Sequence, residues 1–222
     1  MKSSTLQKIY IIISMIYLFL VGLGKTDITC YLKPFLVPFL FFSVVKFEEF
    51  LTKKWLLIAL LFSWMGDVIL LFADKGELFF VFGLVAFLIA HIVFIVLFIN
   101  QEALVIHKQQ NFYWLGFGLV LLYLFGMLSI LLPTLGSLKL PVGIYAMTIS
   151  LMLIETIKGY FNWQQKSKTF ILIGAIFFVL SDSLLAFNKF YCAFSGATLF
   201  IMITYLIAQY AIVIGVLGMN KK

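Results

Sequence analysis

Residues 177–187 read FFVLSDSLLAF and place an acid, Asp182, inside an apolar run too long for a strand of a soluble sheet. A second copy of the pattern lies upstream at residues 64–72, WMGDVILLF. Aligned on the acid, Gly66, Asp67, Leu70 and Phe72 match Ser181, Asp182, Leu185 and Phe187. A carboxylate in hydrocarbon is costly unless it is paired, hydrated or protonated, so an acid at membrane depth is a functional-site candidate by default.

The rest of the chain agrees with a membrane setting. Hydrophobic residues make up 64% of the 222 and charged residues 11%, with a mean hydropathy of +1.15, which excludes the soluble globular class. A lipid-spanning helix takes about 20 apolar residues. Eight such spans are read in order, at 9–24, 30–45, 55–73, 78–99, 112–132, 140–158, 169–187 and 197–217. The expected fold is therefore all-α: a polytopic membrane protein, a bundle of eight transmembrane helices forming a single domain over residues 1–222. The two Asp motifs fall on the third and seventh spans, in the same orientation, as a 4+4 repeat would place them. Lys2 and Lys8 resemble the n-region of a signal peptide, but residues 19–25 offer no small-residue cleavage site, so the first span is kept as a helix.

All 16 basic residues are lysine and the net charge is +7. Membrane topology explains this excess better than nucleic acid does, and no nucleic-acid partner is expected. Lys2, Lys8, Lys46, Lys53, Lys54, Lys108, Lys158, Lys166, Lys168, Lys221 and Lys222 fall on one side; Lys25, Lys75, Lys139 and Lys189 fall on the other. By the positive-inside rule both termini are cytoplasmic, and a multi-pass protein of a bacterial inner membrane is expected. Loops too short for a ligand-binding ectodomain leave the function to the bundle. Cys30 and Cys192 lie near the non-cytoplasmic boundary, where a disulfide is permitted, although two small buried thiols are the simpler reading.

Counted back from the outer ends of their spans, Asp67 is six residues deep and Asp182 five, about 7–9 Å of helical rise, so they share a level. Lys33 enters the second span from the same side and can reach toward that level. Pro34 and Pro38 are expected to interrupt this span and open a wet cavity, because each proline removes an N–H and frees a carbonyl. A Lys33–Asp67 salt bridge of purely structural purpose is the plain alternative for the acids, although one lysine cannot neutralise both. His91, mid-span, is a satisfied core residue or a partner of an Asp. Tyr145, Tyr205 and Gln209 are packing or helix–helix hydrogen-bonding residues, or part of the site. Glu155 is within reach of Lys158 at i+3 and reads as an interfacial ion pair.

These pieces resemble the YhhN-type lysoplasmalogenases, integral membrane enzymes of bacteria and animals, over nearly the whole chain. The resemblance rests on Lys33-Pro34 with Pro38, Gly66-Asp67 with Leu70, Phe87 with Ala90-His91 and Phe94, and Tyr145. It also includes GAIFFVLSDSLLAFNKF at 174–190 and TYLIAQYAI at 204–212. Lys189 stands where arginine is found about as often. The resemblance implies hydrolysis of the vinyl ether of lysoplasmalogen, a lysophospholipid, to a fatty aldehyde and glycerophosphoethanolamine or glycerophosphocholine. For that reaction the two intramembrane acids, Asp67 and Asp182, are expected as the catalytic pair. Lys33, His91, Tyr145, Ser181, Asn188, Tyr205 and Gln209 are then substrate-binding or supporting residues.

The chemistry suits the residues. A vinyl ether resists nucleophiles and is cleaved by acid, which needs a proton donor and an anion, and two neighbouring carboxyls can divide those roles. Lys33 suits a lipid phosphate, as a point charge, and His91 suits a proton relay. The sequence has no HExxH or Cys–His cluster, and no metal or other cofactor is expected. Ser181 sits beside Asp182 rather than across a cleft from it, which argues against a serine hydrolase. The rival reading is a proton- or cation-coupled secondary transporter using the same aspartates. A receptor holding a Schiff base on Lys33 is weaker still, because that lysine is too near the boundary.

Overall fold

The computed structural model describes residues 2–101 and 110–221. Among them the regular structure is helical throughout: α1 (Ser3–Gly22), α2 (Thr26–Val45), α3 (Lys53–Leu70), α4 (Glu77–Ile99), α5 (Gln110–Leu131), α6 (Lys139–Asn162), α7 (Lys168–Phe190) and α8 (Ala197–Met219). Short 3-10 turns cover Ala73–Lys75 and Gly136–Leu138. Seven of the helices are long and apolar enough to cross a membrane. The eighth, α3, has 18 residues and carries Lys53, Lys54 and Asp67, so its charge comes from two end lysines and the acid of interest. The chain is an integral, multi-pass helical membrane protein. Lys108 and Lys222, and most of the 101–111 connection, lie outside the described residues.

The chain divides into two compact units, residues 1–97 with 220–222, and residues 98–219. Each is described on its own. In the first, α2 packs on both α1 and α3, and Leu36, Leu40, Leu56 and Leu60 are fully buried. Gly66 of α3 lies under the Phe87 ring of α4, so close that a Cβ there would be 2.6 Å from the ring. In the second, α6 packs on α5 and α7, and α7 packs along α8. That last pairing depends on glycine. A Cβ on Gly174 would come within 2.8 Å of the Ile212 backbone nitrogen, and one on Gly215 within 2.8 Å of that of Ile171, the close backbone approach that small residues permit between membrane helices.

Two lysines mark the starts of corresponding helices. Lys53, buried at the start of α3, donates to the carbonyls of Val45 (3.2 Å) and Phe47 (2.8 Å) and to Glu49 (2.7 Å). It thereby closes the end of α2, where orphan carbonyls need donors. Lys168, at the start of α7, donates to the carbonyl of Trp163 at 2.8 Å, just beyond α6.

Three expectations need correction. The prolines do not break α2, which runs unbroken through Pro34 and Pro38. Pro38 has no N–H for the carbonyl four residues back, and the Trp64 indole N–H of α3 donates to that Pro34 carbonyl at 2.8 Å. A neighbouring side chain therefore does what a wet cavity was expected to do. Cys30 and Cys192 are free and exposed rather than buried, since both sit near helix ends with outward-facing side chains. The outer ends of α3 and α7 also differ from the expected spans. α3 stops at Leu70 and gives way to the 3-10 turn, while α7 runs on through Asn188 and Lys189 to Phe190. Asp67 is thus three residues, and Asp182 eight, from the C-terminal end of its helix.

Candidate functional site

Measured from the other end, the two acids are equivalent. Asp67 is 14 residues beyond Lys53, where α3 begins, and Asp182 is 14 beyond Lys168, where α7 begins (67 − 53 and 182 − 168). That is about 21 Å of rise in both cases. The offsets from the C-terminal helix ends differ, whereas those from the lysine-marked ends agree.

In the first unit Asp67 is 3% exposed. Its Oδ1 lies 3.6 Å from Nζ of Lys33, with the two side chains 4% and 15% exposed. The separation is that of an ion pair rather than a close hydrogen bond, which leaves the ammonium protons able to turn to a second anion. Tyr17 of α1, itself buried, is within electrostatic range of the Asp67 carboxylate. His91 is fully buried on α4. Its Nδ1 lies 2.6 Å from the Phe87 carbonyl one turn back, on the same segment whose ring covers Gly66 beside the acid.

In the second unit the Tyr145 hydroxyl of α6 donates to Oδ2 of Asp182 at 2.5 Å. The next residue, Ser183, gives its proton to the Val179 carbonyl one turn back, so the Tyr123 hydroxyl of α5 is the donor in its bond with Ser183. Tyr123, Tyr145, Asp182 and Ser183 all face a cavity of about 50 Å³, well above the ~10–15 Å³ that one water needs. An acid, a phenol and a cavity that can admit water are the parts required to deliver or accept a proton at a hydrolysed bond.

The two units repeat this plan. The second helix supplies the acid's partner, Lys33 seven residues into α2 and Tyr145 six residues into α6. The first helix supplies a tyrosine near it, Tyr17 at 14 residues into α1 and Tyr123 at 13 into α5. Sequence reading missed Tyr17, Trp64, Tyr123 and Ser183. The signal that would have found the tyrosines is their matched offset in helices 1 and 5, once the repeat is assumed.

The other expected residues are placed as follows. Ser181 donates to the Ile201 carbonyl at 3.0 Å and ties α7 to α8. Asn188 accepts the Phe194 N–H at 3.2 Å and organises the turn after α7. Gln209 donates to the Tyr205 hydroxyl one turn back on α8 at 3.3 Å, and the Tyr205 ring meets Phe178 of α7 edge-on at 5.7 Å, so the tyrosine serves the α7–α8 seam. Glu155 and Lys158 pair at 3.3 Å, as expected. Among the described residues no group of three or more His, Cys, Asp or Glu could hold a metal ion.

Comparison with known proteins adds two findings. The sequence model of the YhhN family matches residues 28–216, a stretch that contains Lys33, Asp67, Tyr145 and Asp182. Lysoplasmalogenase TMEM86A of Homo sapiens is 30% identical over 160 residues, covering 68% of this chain and 60% of the relative. The match thus spans less than two thirds of that relative's length. No solved structure matches the chain significantly.

Proposed function

The chain belongs to the YhhN family, and from that premise we propose that it is a lysoplasmalogenase, cleaving the vinyl ether of a single-chain alkenyl glycerophospholipid within the membrane. The observation that carries the reading is the pair of intramembrane carboxyls, each held by a partner from the second helix of its unit, at offsets that differ by one residue: Lys33 on Asp67 and Tyr145 on Asp182. The resemblance of the human relative, whose name states the activity, supports it.

The reaction needs few groups. A carboxylic acid protonates the β-carbon of the vinyl ether, and the positive charge is shared between the α-carbon and the ether oxygen. A water adds at the α-carbon and loses its proton to the ionised carboxylate. The hemiacetal then breaks its bond to the glycerol oxygen, which leaves with a proton, and the aldehyde departs. Asp67 and Asp182 supply the two carboxyls in this scheme, as the paired acids of glycoside hydrolysis do around a similar cation. Lys33 holds the lipid phosphate, and Tyr145 orients the carboxyl of Asp182. Purified protein given lysoplasmenyl-ethanolamine should release free aldehyde and glycerophosphoethanolamine. Protein that is folded and releases neither would overturn the reading.

We infer the selectivity from the architecture, in which the described connections are short and, among the described residues, none forms a separate lid. A single-chain alkenyl lysolipid is expected to be cleaved, while a diacyl phospholipid gives no fatty acid. Comparable release from the diacyl lipid, measured side by side, would replace this reading with a general lipase.

We also infer a cytoplasmic location for both termini from the lysine asymmetry. Cytoplasmic reporters should be active when fused after Lys222 or within the 101–111 connection, and inactive within residues 74–77. The opposite pattern would invert the orientation.

A further inference from the structure

Below the Lys33–Asp67 ion pair, α2 and α3 leave an open groove of about 230 Å³ with an entirely apolar lining. Val37, Phe41 and Phe42 form one wall, and Leu60, Leu61 and Trp64 the other. Residues 33, 37 and 41 repeat every four positions, and 67, 64 and 60 every three or four, so each set forms one stripe along its helix. The Lys33–Asp67 pair at 3.6 Å and the Trp64–Pro34 bond at 2.8 Å set the two stripes side by side. The lining residues begin about one turn below the ion pair and run along both helices, from Val37 to Phe42 and from Trp64 to Leu60, about 6–8 Å of rise. Because the Trp64 N–H is bonded to the Pro34 carbonyl, the indole turns no polar edge into it. Phe42 and Leu61 are 53% and 42% exposed, so the groove is open along its side to the surrounding bilayer.

We propose that this groove holds the hydrocarbon chain of the substrate, with the phosphate of its headgroup at Lys33 and the vinyl ether beside Asp67. The inference rests on the lysoplasmalogenase reading and adds where the lipid lies. Charge complementarity sets its direction. A lysolipid has one anionic phosphate and one chain, joined where the vinyl ether sits. The apolar trough begins about one turn from the Lys33 ammonium and the Asp67 carboxylate, which sit just beyond its lining on the same two helices. An apolar trough gives little net attraction to a chain already in lipid, so its role is alignment: it fixes which carbon of the chain faces the carboxyl. A groove with room for one chain also accounts for the expected preference for lysolipids over diacyl lipids.

The test uses the full-length protein and an alkyl-ether lysophosphatidylethanolamine with a diazirine midway along its chain, which lacks the double bond and cannot be cleaved. After irradiation and digestion, label is expected to concentrate on residues 37–42 and 60–64. Leu61→Trp fills the rim at an exposed position and should cut that label about tenfold or more, the scale on which a blocked apolar pocket discriminates. The same variant should lose about tenfold in kcat/KM on long alkenyl chains and keep most of its turnover on chains too short to reach Leu61. Phe42→Trp, on the opposite rim, serves if Leu61→Trp is poorly folded. Label spread over outward residues such as Leu122 and Phe125 of α5 in proportion to their exposure would overturn the proposal. So would equal losses on long and short chains. If the wild type releases no aldehyde, the proposed activity fails while the labelling map still decides the groove.

Discussion

Asp67→Asn and Asp182→Asn are each expected to lower kcat on lysoplasmalogen by at least ~10²-fold, because an amide is neither a comparable acid nor an anion. Carboxyls acting as one unit are not additive, so the double variant should be little worse than either single one. Two other outcomes are distinguishable. If the acids serve only the fold, activity will track the amount of folded protein recovered in detergent. If the chain is a transporter, the wild type will make no aldehyde, and the variants will lose proton- or cation-coupled uptake in vesicles. Near-wild-type turnover by well-folded Asp182→Asn would remove the paired-acid mechanism. Tyr145 gives that experiment an internal control, since its hydroxyl bonds Asp182 without itself being an acid strong enough to protonate carbon.

The second large effect concerns stability. Lys33→Met removes the cation from beside a carboxylate that is 4% exposed. Breaking one side of a buried ion pair typically costs ~3–5 kcal/mol, which should appear as a markedly lower melting temperature in detergent. Replacing both partners by apolar residues of similar size often restores or improves stability. Lys33→Met with Asp67→Leu is therefore expected to melt near the wild type while remaining inactive. That split separates the structural worth of the pair from its chemical use. If turnover returned with stability in the double variant, Asp67 would be a structural residue and the candidate site would reduce to Asp182 and its neighbours.

Much of this was legible without coordinates, for a definite reason. Helix count and type depend on long apolar runs, which lipid forces into internally hydrogen-bonded helices, and each of the eight runs became a helix. The acids were legible because a charge in such a run has few innocent explanations. Helix ends were less so: α3 ends before its apolar run does and α7 runs through polar residues. Where a helix stops depends on which neighbouring group takes its last carbonyls, as Lys53 does beyond α2.

The composition, the eight spans and the duplicated Asp motif are properties of consecutive residues, and the sequence alone determined them. The partners of the acids are not. Lys33 and Asp67 are 34 positions apart, Tyr145 and Asp182 37, and Tyr123 and Ser183 60 (67 − 33, 182 − 145, 183 − 123). In sequence a tyrosine in a membrane span looks the same whether it packs against lipid or donates to a carboxylate. Pro38 likewise looks like a break until Trp64 of the next helix is seen on the Pro34 carbonyl. Those choices were made by how neighbouring helices are rotated and offset within each unit, because a hydrogen bond of about 3 Å is decided by side-chain reach across a helix pair and not by spacing along either helix.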